Sequence, residues 1–337
     1  MKLANAGNKV RGDVADSKTF GISSNAKMFG ILSKGLYKEP ILAIIRELST
    51  NALDAHREAG VNKPFDIHLP TIWQPVFYIR DYGTGLTAEQ LENVYTCYGY
   101  STKDDSNEAI GCFGLGSKTP FAYTDQLNVE SFINGKHIIC MMYLDSGEPK
   151  YQIVSENPTK EPNGLKISFS VKSSDCNAFI YNANRVYQYF DKKPNAVGAK
   201  FNVEPLDYVY EIGNVKLRES GTMQIVMGQV AYPVSYHDAQ VPKHVLQAMQ
   251  YPLDIHVPIG TVSLIASREG IEYNLVTINK LMAVINDAIK VVNDKVSADI
   301  AGAKDYVEAA EMYYKYNHAL RIMLNDIGVK PTFQGRK

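Results

Sequence analysis

The sequence predicts an α+β protein of two domains: a mixed, mostly antiparallel sheet covered by helices, then a second α+β unit with a helical tail. Three observations carry this. The stretch Pro40 to Gly60, PILAIIRELSTNALDAHREAG, places Ile41, Ile44, Ile45, Leu48, Ala52 and Ala55 on one apolar arc at helical period. Strand-like runs succeed one another between 65 and 171, with hairpin signals at Asn134-Gly135 and Asp145-Ser146-Gly147. Residues 275–299 and 303–325 return to a period of about 3.6.

Taken in order, residues 1–20 read as a flexible or exchangeable arm, and 23–37 as a short helix and turn. Pro40 suits the first position of the long helix and Gly60 the position after its last turn. Glu47, Asn51 and Asp54 form a polar stripe beside its apolar arc, which on its own reads as a solvated edge. In PVFYIRDYGTGL the period-2 rule puts Phe77, Ile79 and Asp81 on one face of a strand. An inward carboxylate there needs a partner. Thr87 and Gln90 form a capping box for a helix that runs to about Gly99. The segment 101–125 is polar, then glycine-rich, with the length of a lid and a short helix starting near Gly116. Strands QLNVESFIN, KHIICMMYL, YQIVSE and GLKISFSV follow, and a helix at 177–190 closes a first domain spanning 21–193. PNAVG at 194–198 reads as a linker. The second domain, 198–337, begins with strands KFNVEP, YEIGNVKL, TMQIVMG and VAYPVSY, then a helix near 241–250, more strand, and SREGIEYN.

At 337 residues, 45% apolar and 21% charged, the chain has an ordinary globular composition with room for two cores. A formal net charge of −1 gives no strong signal for nucleic acid. The four cysteines lack metal or disulfide spacing. No spanning segment or apolar leader is present, so the expectation is a cytoplasmic protein, with peripheral membrane association left open.

Three motifs lie in fixed order: E-x-x-x-N-x-x-D (Glu47, Asn51, Asp54) on a helix, D-x-G-x-G (Asp81, Gly83, Gly85) after a strand, and GCFGLGSK (Gly111, Gly114, Gly116, Ser117, Lys118) before a helix. The last fails the P-loop pattern, because Ser117 precedes Lys118, and no Rossmann fingerprint is present. It still offers backbone N–H groups and a lysine, a generic phosphate cradle.

Together the motifs resemble the N, G1 and G2 boxes of the GHKL ATPases (gyrase, Hsp90, histidine kinases, MutL), over roughly residues 24–171. FGILSKGLYKEPILAIIRELSTNALDAH, HLPT, IRDYGTGL, YGYSTK, GLGSKTPFAY and SREGIEY further resemble the bacteriophage rIIA-like, lysis-inhibitor family. The resemblance implies a Bergerat-fold ATP-binding domain, a transducer domain of the ribosomal-protein S5 type, and ATP and Mg²⁺ as cofactors. It implies Glu47 as general base for the attacking water, Asn51 as Mg²⁺ ligand and Asp81 as acceptor for the adenine amine. Gly83 and Gly85 would let backbone approach the base. Gly111, Gly114, Gly116, Ser117 and Lys118 would hold the triphosphate, and Asp54 would contact the nucleotide or buttress the site. Arg268 would reach the γ-phosphate from the second domain, with a salt bridge to Glu269 or Glu272 as the plainer alternative.

A water-activating carboxylate suits hydrolysis rather than histidine phosphorylation. The expected activity is therefore Mg²⁺-dependent ATP hydrolysis driving a conformational switch, with dimerisation on nucleotide binding and a host or phage protein as client. A nucleotide-binding effector with little turnover, and a DNA-handling ATPase like MutL, are the alternatives. Two departures stand out. Leu165 follows Gly164 where relatives carry a threonine, and family members can be longer, so this chain reads as a short form or a piece of one. His56 and His68 read as ordinary, and Tyr95, Tyr98 and Tyr100 as packing.

Overall fold

The structure, a computed structural model, describes residues 26–96, 116–235, 241–316 and 318–326. The expected arm at 1–20, Tyr98, Tyr100, Gly111 and Gly114 lie outside the described residues. The described chain divides into two compact units. One holds the described residues up to Ala183 together with Lys192–Phe201, and the other holds Asn184–Asp191 and everything described from Asn202 onward.

The first unit begins with α1 (Ala26–Ser33) and α2 (Pro40–Glu58). Pro40 starts α2 without a side-chain cap, as its missing N–H allows. At the other end Gly60 is left-handed at φ +66°, its N–H reaches Arg57 O, and Val61 N–H reaches His56 O. That is a Schellman closure, and it satisfies the last carbonyls. Next come β1 (Asp66–Leu69), β2 (Val76–Arg80) and α3 (Ala88–Thr96). The capping box forms as expected, with Thr87 N–H on Gln90 Oε1 at 2.9 Å and Gln90 N–H on Thr87 Oγ1 at 3.2 Å. A 3₁₀ turn, Gly116–Ala122, replaces the expected short helix; Pro120 inside it denies the N–H that an α-turn needs.

Strands β3 (Gln126–Ile133), β4 (Lys136–Asp145), β5 (Glu148–Pro158) and β6 (Gly164–Ser170) follow, then α4 (Cys176–Tyr187) and β7 (Asn195–Gly198). Asn134 and Gly135 are both left-handed, as a two-residue hairpin turn requires. The sheet order is β5-β4-β3-β6-β2-β1-β7, antiparallel except where β7 joins β1 in parallel. The stretch 194–198, expected as a linker, is therefore a strand. Four residues are too few to show a period, and parallel pairing after a helix leaves no local turn signal. The α4 face packs through Phe179 on Phe77, with ring centroids 5.1 Å apart, and on Tyr123.

In the second unit β8 (Tyr208–Ile212), β9 (Val215–Arg218), β10 (Gln224–Met227), β11 (Val230–Pro233) and β12 (Leu253–Val257) form a sheet ordered β11-β10-β12-β9-β8. Only β10–β12 is parallel in it. KFNVEP is not a strand, and YEIGNVKL is a hairpin turning at Gly213 rather than one strand. The helices are α5 (Lys243–Ala248), α6 (Leu275–Ala301), α7 (Tyr306–Lys315) and α8 (His318–Asp326). Leu281, Ile285, Ala288, Val292, Val296 and Ile300 give α6 one continuous buried stripe against this core. The single helix expected over 303–325 is broken where Tyr316 takes extended backbone. Its buried hydroxyl bonds Asp299 at 2.6 Å, a tertiary preference that no local breaker residue announces. Asp254, fully buried, is held by Arg218 Nε at 2.9 Å and the Tyr208 hydroxyl at 3.0 Å, which meets the cost of an interior carboxylate. No described helix is long and apolar enough to cross a membrane.

Candidate functional site

The site is organised by α2. Its apolar arc packs toward β2, but the polar side is not a solvated border. Every residue from Ala43 to Thr50 is buried, including Arg46 and Glu47, because the Gly116–Ala122 turn roofs that side. A Cβ on Gly116 would lie 3.0 Å from Glu47 Oε2 and 3.5 Å from Asn51 Nδ2. The end of the glycine loop therefore rests directly on the two leading residues of the helix stripe. Glu47 Oε1 receives Arg46 Nε at 3.1 Å, and Oε2 is the oxygen nearest Gly116. Asn51 is half-buried, and no hydrogen bond from the described residues engages its side chain. Asp54 is buried one turn further on, with Arg57 Nη1 at 3.2 Å from its Oδ1. That pair turns it toward the last turn of the helix.

Asp81 continues the buried face of Phe77 and Ile79, as alternation requires, and is itself 7% exposed. Its Oδ1 accepts two backbone N–H groups, from Gly83 at 2.8 Å and from Leu165 at 3.2 Å. No other described residue donates to Oδ2. Burial pushes this carboxyl above its ordinary range, while the two N–H groups and the neighbouring Arg80 guanidinium pull it back. The arrangement is one carboxylate oxygen fixed by the fold and a second left to accept from a donor outside it.

The glycines have specific neighbours. A Cβ on Gly83 would come within 2.8 Å of Ala55 Cβ, and on Gly85, at φ +75°, within 2.3 Å of Phe132 O. These two glycines let the loop press onto α2 and β3, so the space they keep open faces protein. Ser131, fully buried, fastens the same loop by donating to Leu86 O and accepting Leu86 N–H. The missing hydroxyl after Gly164 is thus not replaced by Ser131 at Asp81; the backbone N–H of Leu165 bonds the carboxylate instead. Gly164 has φ +135°, and its Cβ would fall 2.2 Å from Asp81 O. Gly164→Ala is expected to destabilise the protein by at least about 2 kcal/mol, combining a strained backbone with a clash against main chain. An unchanged urea midpoint would refute this.

Lys118 is placed otherwise than expected for a phosphate ligand. It is 3% exposed, and its ammonium donates at 2.6 Å to Val94 O, one of the last-turn carbonyls that α3 cannot satisfy internally. Ser117 stays half-buried beside it, and Thr119 Oγ1 closes the turn on Gly116 O at 2.7 Å. Arg268 lies in the second unit, buried, in the turn bridged by Leu264 and Ile271, with left-handed backbone at φ +56°. Among the described residues no group of three His, Cys, Asp or Glu could hold a metal. A cation here would take Asn51 and oxygens of its own ligand as donors, the usual manner for Mg²⁺.

His56 was not foreseen. It is buried on α2, and its Nε2 accepts Tyr82 N–H at 2.7 Å, tying the helix to the loop that carries Asp81. One signal was available: His56 falls on the apolar arc after Leu48 and Ala52, and a histidine there has to find partners for both ring nitrogens.

No family model matches the chain. Over 196 residues, 51% of this chain and 28% of the relative, it is 27% identical to "Chaperone protein HtpG" of Bacteroides thetaiotaomicron. Over 173 residues, 45% of this chain and 24% of the relative, it is 25% identical to "Chaperone protein HtpG" of Bacteroides fragilis. The chain is thus similar along about half its length to HtpG chaperones, and spans about a quarter of theirs.

Proposed function

We propose that this chain binds ATP with Mg²⁺ and hydrolyses it as a GHKL-type conformational switch, with a Bergerat-type first domain and a transducer-like second domain. The observation that carries the reading is Asp81. One oxygen is pinned by two backbone donors, and no other described residue donates to the second. The loop that carries it rests on α2 at Ala55 and His56, and Gly116 lies over Glu47 and Asn51 of the same helix. The order of the three boxes and the likeness to HtpG, an Hsp90-type member of that superfamily, support the same reading. Kinship with the phage rIIA-like family rests on the sequence motifs.

In this reading Asp81 Oδ2 accepts the adenine amine and Asn51 helps hold Mg²⁺, which when bound neutralises charge on the phosphates. Glu47 Oε2 orients a water and takes its proton as the water attacks the γ-phosphorus, giving ADP and inorganic phosphate. Gly116 and Ser117, with Gly111 and Gly114, cradle the phosphates. Lys118 joins them on leaving Val94 O. Asp54 supports α2 from behind, and Arg268 supplies positive charge from the second domain. Nucleotide-dependent dimerisation and a protein client complete the proposal.

A second reading, nucleotide binding with little turnover, is favoured by one contact: Arg46 occupies Glu47 Oε1 and competes with a water for the carboxylate. Phosphate release from Mg²⁺-ATP separates the two. Release that stops with a chelator and falls in Arg268→Ala supports the full reading. ATP bound without release supports the second, and hydrolysis untouched in Arg268→Ala removes that residue from the scheme.

A further inference from the structure

The ring of His56 joins two parts of the site that are separate in sequence. Its Nε2 accepts the N–H of Tyr82, the residue between Asp81 and Gly83, and the ring makes a second hydrogen bond to the backbone of Lys63. A backbone amide can only donate, so Nε2 carries no proton and the neutral ring holds its proton on Nδ1. The position is enclosed: Phe65 and Tyr82 flank the imidazole with centroids 6.4 and 6.0 Å away, and His56 is 5% exposed. The charged groups facing it are Lys63 and Arg80, which oppose a positive ring, and Asp66, which favours one. Asp66 is already engaged by the Tyr82 hydroxyl and Asn195.

We infer that His56 is a positioning residue for nucleotide recognition, holding the Asp81 loop on α2 only while its imidazole is neutral, so that acid releases the loop and weakens ATP binding. This rests on the ATP reading above. Protonating Nε2 would set N–H against N–H at Tyr82, and the next residue in the loop is Gly83, whose N–H pins Asp81 Oδ1. Losing the Tyr82 bond therefore frees the segment that aims the open Asp81 oxygen. Burial pushes the imidazole below its usual value, the direction that keeps it neutral in the closed loop. For stability the sign follows. The contribution of a group depressed on folding is fully present above its unfolded value of about 6.5 and is lost as pH falls through the folded value.

The test compares wild type with His56→Gln and His56→Leu. Glutamine can accept from Tyr82 and donate to Lys63 without titrating, whereas leucine fills space and accepts nothing. Mg²⁺-ATP affinity would be measured from pH 5.5 to 8, alongside hydrogen exchange of the 80–86 backbone without ligand. At pH 8 glutamine is expected to restore binding that leucine lowers about 10-fold, the effect falling on KM rather than kcat. As pH falls through the ring's folded value, which burial holds below the ordinary one, wild type should lose affinity relative to His56→Gln, approaching 10-fold per pH unit. Titration of ATP and of Asp81 is common to both proteins and cancels. Wild type and His56→Gln tracking each other at every pH, or His56→Leu binding like wild type, would overturn the inference. Failure of wild type to bind ATP at pH 8 would overturn the ATP reading instead. Exchange then decides the loop: protection at Tyr82 lost in acid and kept in His56→Gln sustains the His56 switch, and protection indifferent to both ends it. Should His56→Leu not fold, the glutamine comparison alone decides.

Discussion

Replacing Glu47 with Gln is expected to lower kcat for ATP hydrolysis by about 10²–10⁴-fold while changing ATP affinity by less than about 3-fold. The choice of amide follows from the packing. Glu47 is 2% exposed beneath Gly116, with Arg46 Nε on its Oε1. A glutamine keeps the shape and can keep its oxygen on Arg46, so the buried guanidinium does not lose that acceptor. What changes is the atom toward Gly116, from an oxygen that can take a proton to an NH₂ that cannot. Alanine at this position would add a cavity under the roofing turn and remove the Arg46 contact, mixing a stability loss into the kinetic one. Single-turnover and steady-state phosphate release, with ATP affinity measured separately, read the two quantities. A Gln variant that turns over like wild type removes Glu47 as the base.

How much of this site could be read from sequence follows from which interactions are local. The start and end of α2, the Thr87–Gln90 box and the Asn134-Gly135 turn are each fixed by residues within about four positions of one another, and each is found where the pattern puts it. The inward direction of Asp81 followed from alternation with Phe77 and Ile79. What alternation could not supply was its partner, the Leu165 N–H, 84 positions away and brought close only by β6 pairing with β2. The same holds for β7, whose pairing with β1 leaves no trace in four residues, and for Tyr316, whose bond to Asp299 breaks an otherwise periodic helix. Lys118 was legible as a cation near glycine but not as the cap of α3, because its acceptor is a backbone carbonyl and carries no residue identity. The polar stripe of α2 was legible in its spacing. Its burial was not, since periodicity describes the arc facing the sheet and is silent about a roof that comes from Gly116.

Asp81→Asn is the sharper test of base recognition, because the fold dictates which way the new amide points. Oδ1 lies within reach of two fixed donors, the N–H groups of Gly83 and Leu165. An asparagine must keep its oxygen there, since placing NH₂ against two N–H groups would leave three buried donors without an acceptor. The NH₂ then occupies the position of Oδ2, the open side. An adenine amine, a donor, now meets a donor, whereas a purine with a keto oxygen at that position meets a partner. ATP affinity is expected to fall by about 10²-fold or more, and the preference for ATP over GTP or ITP to shrink or reverse. The substitution also removes the buried charge that burial destabilises, so the folded protein is expected to survive it, with its thermal midpoint near or above the wild-type value in neutral buffer. Competition binding of ATP against ITP in both proteins reads the result. If Asp81→Asn binds ATP as wild type does, the open oxygen is not the base acceptor. The Glu47 prediction tests the chemistry at the middle of α2 and this one tests recognition in the loop that rests on its last turns, so failure of either leaves the other interpretable.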